Sequence, residues 1–338
     1  MEFLLDRAQG EFGRTVDRML GGAHTAQVVR AWARGDHGPG RTLWERLGGI
    51  GVTALAVPET HEGVGPLPVE LAVASVESGR HAVPGPLAET AAVAVLLAAL
   101  AGGDAAQVDP AARHWLPRIA SGRTLVTLAA ADGGPYALDA DAADAVFTVE
   151  GAGGEELWLA PGHGRVQPSI DPARRLARPL PGGELLARGP AVAEAAGRAA
   201  DWAAFVTAAQ SLGTGLALLE RTVAYVKGRR QFGRAVGSFQ AVKHRLADVL
   251  IGLEFARPLL YGAAVALASA GPGARAEVAA AKVAAGEAGY AAARAALQLH
   301  GAIGYTDESD LSLWIRRAGA LRSAWGTPSV CRARVLAG

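Results

Sequence analysis

The 338-residue sequence lacks several features that would place it in common functional classes. It has a single cysteine, Cys331, which excludes an internal disulfide and any zinc site built from cysteines. Lysine and arginine together number 33 against 32 acidic residues, so the formal net charge is only +1. Because the arginines are scattered rather than massed on one segment, the sequence predicts no nucleic-acid partner. We also predict no metal site.

Long apolar runs are missing as well. The most apolar stretch, residues 87–100, contains Glu89 and is shorter than the ~20 apolar residues that span a bilayer. We interpret it as a buried helix. The segment 1–20 has acidic residues early and apolar residues at helical spacing, unlike a signal peptide. We therefore expect a cytoplasmic protein with no membrane partner.

Half of the residues are hydrophobic and 19% are charged, so the chain can bury a large core in two or three domains. Residues 1–118 have helical patterns interrupted by Gly/Pro clusters. Residues 119–190 contain short apolar runs separated by Gly, Pro and Asp, which predict a small β domain. Residues 191–338 are rich in alanine and poor in breakers, which predicts a helical domain.

Four helices and a tail are predicted in this last region. Their expected ranges are 191–228, 238–270, 274–300 and 309–322. The third helix consists largely of small residues, which allow helix backbones to approach closely. This composition suits a core helix and a subunit interface equally well.

One segment has the composition of an anion-binding turn. Residues 227–250 read KGRRQFGRAVGSFQAVKHRLADVL, with Arg229 and Arg230 just before a Gln-Phe-Gly sequence and a helical pattern. Arginine binds pyrophosphate through a planar fork of donors, and the start of a helix offers free backbone N–H groups. From the residues alone, the segment equally fits a solvated arginine pair with Phe232 in the core.

The sequence RRQFG followed by FQAVKHRLADVL resembles the flavin-contacting segment of the acyl-CoA dehydrogenases. A second signature of that family, QLHGAIGY, follows at residues 298–305. In the family, the Arg, the polar residue two positions later and the Phe reach the FAD of the neighbouring subunit. The Gln and first Gly of the second signature contact its adenosine end. The resemblance thus implies FAD as cofactor, with these contact residues: Arg229, Gln231, Phe232, Gln298 and Gly301.

The resemblance also implies a fold that is mainly α with a small β domain. The expected parts are an N-terminal helical domain (1–118), a central β-barrel-like domain (119–190) and a C-terminal four-helix bundle (191–338). The central part departs from the family, because its Gly-Ser-Asp turn and Trp-Ile-Thr strand are missing. The nearest matches are residues 129–134 and 156–159, so we expect a reduced flavin cradle.

Members of the family oxidise an acyl-CoA thioester to its enoyl form, which requires a carboxylate to remove the α proton. The family places this glutamate at one of two positions. By alignment, one is occupied here by Trp325, before Gly326-Thr327, and the other by Phe205. Neither ring can accept a proton, so the resemblance predicts no catalytic residue at either position.

These features resemble the shorter, non-catalytic subunit of actinobacterial heterotetrameric acyl-CoA dehydrogenases of the steroid side-chain type. The implied partner is a related, longer chain that carries the base and holds the acyl-CoA, with electron-transfer flavoprotein as electron acceptor. Two alternatives remain. One is a self-sufficient homotetramer with a displaced base, and the other is a flavin-free scaffold subunit. The candidates for a displaced base are Asp201, Glu220, Glu308 and Asp310.

Overall fold

Helices at both ends of the chain flank a short region of strands. The computed structural model describes residues 5–101, 108–271 and 273–338. The helices before the strands are α1 (Arg7–Gly21), α2 (Thr25–Ala33), α3 (Gly38–Gly49), α4 (Pro68–Arg80), α5 (Leu87–Ala101) and α6 (Asp109–Ala120).

Local sequence explains where several of these helices start. Asp6 caps α1, because its side chain accepts from the backbone N–H of Gln9 while the Gln9 side chain accepts from the Asp6 N–H. Helices α4 and α6 have proline in the first turn, where no backbone hydrogen bond is lost. Helix α5 is the apolar run of residues 87–100, and it packs against α6, the first strand and the long helix that follows the strands.

The strands are β1 (Val126–Ala129), β2 (Ala137–Leu138), β3 (Ala145–Glu150), β4 (Glu156–Leu159), β5 (Leu176–Ala177) and β6 (Glu184–Arg188). Four of them form a sheet in the order β1-β3-β4-β6. The β1/β3 pair is parallel, with Val126 opposite Ala145, and the other pairs are antiparallel. Strands β2 and β5 form a separate antiparallel ladder.

The helices after the strands are α7 (Pro190–Gly228), α8 (Gln240–Ser269), α9 (Ala274–His300), α10 (Leu311–Ser323) and α11 (Pro328–Ala337). A two-stranded hairpin, β7 (Arg230–Gln231) and β8 (Arg234–Ala235), lies between α7 and α8. The predicted helices are therefore present. The region after the fourth predicted helix was interpreted as a tail, but it contains a further helix, α11. This helix starts at Pro328 with Thr327 as its N-cap.

Helix α9 lies inside the helical bundle, where it packs against α7, α8, α10 and α11. Its small residues serve this packing. A side chain at Gly289 would approach the backbone oxygen of Ser211 on α7 to 2.7 Å, and one at Gly215 would approach Gly289 to 3.0 Å. The small residues therefore let α7 and α9 come together closely, as in a core helix.

Helices α7 and α8 are both long and apolar enough to cross a membrane, but they differ in burial. The most apolar window of α7 is 94% buried within the chain, whereas that of α8 is 33% buried. Large apolar side chains on α8 are exposed, and we call them the α8 apolar stripe: Leu250, Ile251, Phe255 and Leu259. An uncovered apolar surface of this kind is typical of a face that packs against another molecule.

The chain is mainly α with a small region of strands, as predicted. Secondary structure changes from helix to strand between α6 and β1, and back to helix at α7. These changes lie close to the predicted bounds at 118/119 and 190/191. The division into three domains at those residues stays a prediction.

Candidate functional site

The first motif forms an exposed hairpin at the end of α7. The Arg229 N–H donates to the Tyr225 carbonyl at 2.9 Å, and β7 and β8 then pair through Gln231 opposite Arg234. The two turn residues, Phe232 and Gly233, have φ values of 52° and 77°. A two-residue hairpin favours this conformation, but a bulky residue rarely adopts it. Backbone strain at such a residue often marks a functional segment.

The hairpin presents its side chains outward. Phe232 is 88% exposed, so its placement in the core, one of the two sequence interpretations, is wrong. Arg229 and Gln231 are exposed as well. Behind them, Phe239 meets the Phe232 ring edge-on at 6.2 Å between centroids, and the Arg234 guanidinium lies 3.9 Å from the Phe239 ring centroid. These contacts orient the hairpin without covering it.

The second motif follows the end of α9. Gly301 has φ 67° and ψ −144°, a conformation that favours glycine, and the chain then enters a 3-10 turn at Gly301–Tyr305. Gln298 and Gly301 line an open groove of about 490 Å³ together with Arg245 and Arg294. The groove therefore combines an amide, a backbone segment without a side chain and two guanidinium groups.

The five predicted FAD contacts are all exposed: Arg229, Gln231, Phe232, Gln298 and Gly301. The structure brings Gln298 and Gly301 together in one groove, whereas the hairpin residues are outside its lining. Guanidinium groups suit the pyrophosphate of a dinucleotide, and an exposed ring suits its planar heterocycles. The residues present thus fit FAD, while their assignment to particular parts of it remains a prediction.

Both predicted base positions hold buried aromatic rings. Trp325 is 4% exposed and has φ 54°, and Phe205 on α7 is fully buried. The Trp325 ring lies against Gly133, where an added Cβ would stand 2.9 Å from the ring atoms. Neither ring can accept a proton from a substrate.

A cavity of about 240 Å³ adjoins Trp325. Its lining includes Gly133 and Tyr136 from the strand region, Arg174 and the carboxylate residue Glu89. The Trp325 indole N–H donates to Glu89 Oε1 at 2.8 Å. The side chain at the base position is therefore hydrogen-bonded to a carboxylate that comes from a different part of the chain.

Glu89 is a functional candidate that sequence reasoning missed. It lies in the first turn of α5 and is only 3% exposed. Its second carboxylate oxygen, Oε2, is buried without a hydrogen-bond partner among the described residues. The signal was an acidic residue inside the apolar run 87–100, because an acid is rarely buried in such a run without a specific role.

Two of the four predicted displaced carboxylates are committed to arginines on the surface. Glu220 accepts from Arg80 through both oxygens, at 2.7 and 2.9 Å. Asp310 is paired with Arg30. Both carboxylates are exposed, which is unlike a base in a dry pocket.

The other two differ from each other. Glu308 is exposed. Asp201 is partly buried and lies 3.7 Å from the Arg275 guanidinium, and burial raises the pKa of its carboxyl to about 6. Asp201 is not part of the lining of the cavity beside Trp325. The structure therefore places none of the four predicted carboxylates at that cavity.

A buried lysine holds the loop that carries Trp325. The Lys282 ammonium donates to the carbonyls of Leu321, Arg322 and Gly326 at 3.0, 3.2 and 3.4 Å. Burial lowers the pKa of Lys282 to about 8. Because this one side chain binds both the end of α10 and the following loop, it fixes the position of Trp325.

The strand region has its own open groove of about 450 Å³, lined in part by Ala129, Gly134 and Arg178. Where the family has its Gly-Ser-Asp turn, this chain has a 3-10 turn at Ala131–Gly133. The Thr148 hydroxyl in the lining donates to the Glu150 side chain at 3.0 Å. The groove thus lacks the turn hydroxyl that the family provides for the flavin.

Known protein families match both helical parts of the chain. The C-terminal domain of acyl-CoA dehydrogenases matches residues 193–338, and the N-terminal domain of the same enzymes matches residues 8–123. Acyl-CoA dehydrogenase IpdE2 of Mycobacterium tuberculosis is 35% identical over 295 residues, covering 86% of this chain and 84% of the relative. IpdE2 of Mycolicibacterium smegmatis is 31% identical, covering 89% of each chain.

Solved structures agree in fold. A chain of a Tcur3481-Tcur3483 steroid acyl-CoA dehydrogenase variant superposes with a TM-score of 0.81 at 25% identity, covering 98% of this chain and 97% of that one. A chain of the ChsE4-ChsE5 complex from Mycobacterium tuberculosis has a TM-score of 0.80 at 24% identity, covering 100% and 98%. The predicted fold is thereby confirmed. The family match supports FAD, the predicted cofactor. The chain belongs to the acyl-CoA dehydrogenase family of flavin-dependent oxidoreductases.

Proposed function

We propose that this chain is the non-catalytic subunit of a flavin-dependent acyl-CoA dehydrogenase and that it completes the FAD site of a related, longer, base-bearing chain. The observation that carries the proposal is the pair of buried rings, Trp325 and Phe205, at the two base positions. The complex would oxidise an acyl-CoA thioester at its α and β carbons.

This reaction removes a proton from the α carbon and a hydride from the β carbon, leaving a double bond. FAD, when bound, supplies the hydride acceptor. A carboxylate must face the α carbon in a dry pocket to take the proton. At the predicted base position this chain has Trp325, so in the proposed complex the proton acceptor comes from the partner.

The exposed groups support a role for this chain in FAD binding. Arg229, Gln231 and Phe232 on the hairpin would hold the pyrophosphate region. Gln298 and Gly301 in the groove would hold the adenosine end. Because hydrogen bonds to charged groups are worth about 1.5–3 kcal/mol each, the arginine alone contributes substantially to FAD retention.

The α8 apolar stripe supports a stable partner. Phe255 is 72% exposed and Ile251 is 51% exposed on one helix. A surface of this kind resembles the apolar core of an obligate subunit interface. Because one similar structure is the ChsE4-ChsE5 complex and another is a Tcur3481-Tcur3483 steroid acyl-CoA dehydrogenase, we infer a heterotetramer with a related chain. We further infer that electron-transfer flavoprotein receives its electrons.

Purification tests this proposal directly. The chain would be produced alone and together with the product of the adjacent reading frame, and flavin absorbance and acyl-CoA oxidation would be measured for each. We expect both only in the co-purified complex. Flavin and turnover in the solitary chain would contradict the proposal.

Glu89 favours a second candidate, a self-sufficient homotetramer with a displaced base. Its carboxylate is buried at the cavity beside Trp325 and has one oxygen without a described partner. In this candidate, Glu89 would take the α proton that the usual base takes. Loss of turnover in the Glu89→Gln variant of the solitary chain would support it, whereas a solitary chain with no turnover excludes it.

A further inference from the structure

Two aromatic rings join the segments that carry the proposed FAD contacts. Tyr225 lies in the last turn of α7, and His300 is the last residue of α9. Their rings are stacked, with centroids 4.0 Å apart and planes inclined by 21°. Neither residue belongs to the five predicted contacts, but each lies next to some of them.

The backbone links Tyr225 directly to the hairpin. Its carbonyl accepts the Arg229 N–H at 2.9 Å, and the Arg229 carbonyl accepts the Val236 N–H at 2.8 Å. These two bonds determine where α7 ends and where the hairpin closes. A shift of Tyr225 therefore moves Arg229 and the turn that carries Phe232.

His300 is equally fixed in its own segment. It lies between Gln298 and Gly301, and its Nδ1 is 2.8 Å from the Ala296 carbonyl. Because a carbonyl can only accept, Nδ1 carries the hydrogen. Burial lowers the pKa of His300, so the ring that stacks on Tyr225 is neutral at neutral pH.

We infer that Tyr225 and His300 are positioning residues that set the distance between the hairpin and the Gln298–Gly301 segment. This inference rests on the proposed function, in which the hairpin holds the pyrophosphate and the Gln298–Gly301 segment holds the adenosine of one FAD. Both sets of contacts can form at full strength only when the spacing between the two segments is correct. The stack keeps this spacing before the cofactor binds, which lowers the ordering cost of binding.

The test uses the complex of this chain with its partner and measures the FAD dissociation constant by flavin fluorescence. Aromatic pairs of this type contribute an energy that corresponds to about a two- to tenfold change in affinity. We expect Tyr225→Ala and His300→Ala each to weaken FAD binding by that factor. Tyr225→Phe and His300→Phe keep a ring and should bind FAD as the unmodified chain does.

The double variant Tyr225→Ala/His300→Ala separates coupling from two independent effects. If the rings act through each other, the double variant loses no more affinity than either single variant. Losses that simply add, or unchanged affinity in Tyr225→Ala, would overturn the inference. Equal loss in the Phe and Ala variants would overturn it too, because a stacked ring would then have no role.

Amide hydrogen exchange on the chain without FAD distinguishes failure of this inference from failure of the proposed function. We expect Tyr225→Ala to speed exchange at residues 301–305 as well as in the hairpin, and His300→Ala to speed exchange in the hairpin. Changes confined to the substituted segment would overturn the coupling. A complex that holds no FAD with any variant would contradict the proposed function, and the cofactor role of the stack with it.

Discussion

The hairpin at residues 229–235 contains three of the predicted FAD contacts and the loop at residues 323–327 contains a predicted base position, and the two are built in opposite ways. Phe232 and Trp325 both have positive φ values, but the hairpin exposes Phe232, whereas the loop buries Trp325 and satisfies its N–H on Glu89. An exposed ring makes few contacts with its own chain, which is typical of a residue that contacts a bound molecule. A buried, hydrogen-bonded ring already makes its stabilising contacts within the fold.

This difference indicates that one half of the site serves another molecule and the other half serves the fold. Lys282 strengthens the contrast, because its three hydrogen bonds hold the Trp325 loop in place. The strand ladder of the hairpin itself is only two residue pairs long. The predictions below alter one region at a time.

The largest effect is expected from a substitution in the buried Trp325 loop. Trp325→Ala removes a fully packed ring and leaves Glu89 without its donor, so the free energy of unfolding should fall by about 3–5 kcal/mol. Urea denaturation measures this change. Trp325→Phe, which keeps most of the ring, should lose less. An unchanged unfolding free energy in Trp325→Ala would show that the ring does not support the fold.

The second largest effect is expected from a substitution in the α8 apolar stripe, the proposed partner surface. Phe255→Ser truncates the most exposed side chain of the α8 apolar stripe. A central aromatic residue of an interface typically contributes about 2 kcal/mol or more to the binding free energy. We expect the complex to dissociate at concentrations where the unmodified complex is intact, as measured by analytical ultracentrifugation. Val64→Ser is the control, because Val64 is exposed but lies outside α8. Equal dissociation constants for both variants would exclude the stripe as the interface.

The exposed hairpin is tested by Arg229→Ala. Loss of its bonds to phosphate should weaken FAD binding by about ten- to 150-fold, which corresponds to about 1.5–3 kcal/mol. Flavin absorbance of the purified complex measures the retained FAD. Arg230→Ala is the matched control, since it removes a neighbouring cation outside the predicted contact set. Unchanged flavin content in Arg229→Ala would favour the flavin-free scaffold.

A more gradual effect concerns pH and the buried Asp139. Its carboxylate accepts from the Trp32 indole and from the Arg175 N–H, both at 3.1 Å, and burial raises its pKa to about 7 from 3.8. Between these values the folded state keeps a proton that the unfolded state releases. The free energy of unfolding should therefore fall as pH rises from about 4 to about 7, by at most about 1.4 kcal/mol per pH unit.

Asp139→Asn should flatten this pH dependence, measured by denaturation at several pH values. Glu77 acts in the same direction, because burial raises its pKa to about 7 as well, so part of the slope should remain. A slope that is the same in Asp139→Asn and the unmodified chain would show that Asp139 ionises normally in the fold.

The smallest expected effect is that of Glu89→Gln. The amide oxygen can still accept the Trp325 N–H, while the negative charge is lost. If the chain does not catalyse, turnover of the complex should be unchanged in an acyl-CoA oxidation assay. Abolished turnover would instead indicate that Glu89 takes part in the reaction.

Much of the fold was predictable, because breaker residues and apolar periodicity are local signals. The helix predicted at 274–300 is observed at Ala274–His300, and strands β1 to β6 lie within residues 119–190, where short apolar runs predicted a β region. Helix α11 was missed although Thr327-Pro328 is a typical N-cap followed by a first-turn proline. The local signal was present there but was not used.

The site was less predictable, because its geometry depends on long-range contacts. Glu89 and Trp325 are 236 positions apart in the sequence, and no periodicity relates them. The exposure of Phe232 depends on a two-residue turn, which carries no hydrophobic pattern. The Tyr225–His300 stack likewise joins the ends of two helices that only the tertiary fold brings together.

The most direct measurement of the central claim uses a complex in which the partner chain's own base has been replaced by the corresponding amide. Flavin content and acyl-CoA oxidation would be measured with this chain unmodified. The account predicts a complex that retains its FAD and has no turnover, because this chain contributes contacts to the cofactor and no proton acceptor. Turnover that persists in that complex would contradict it.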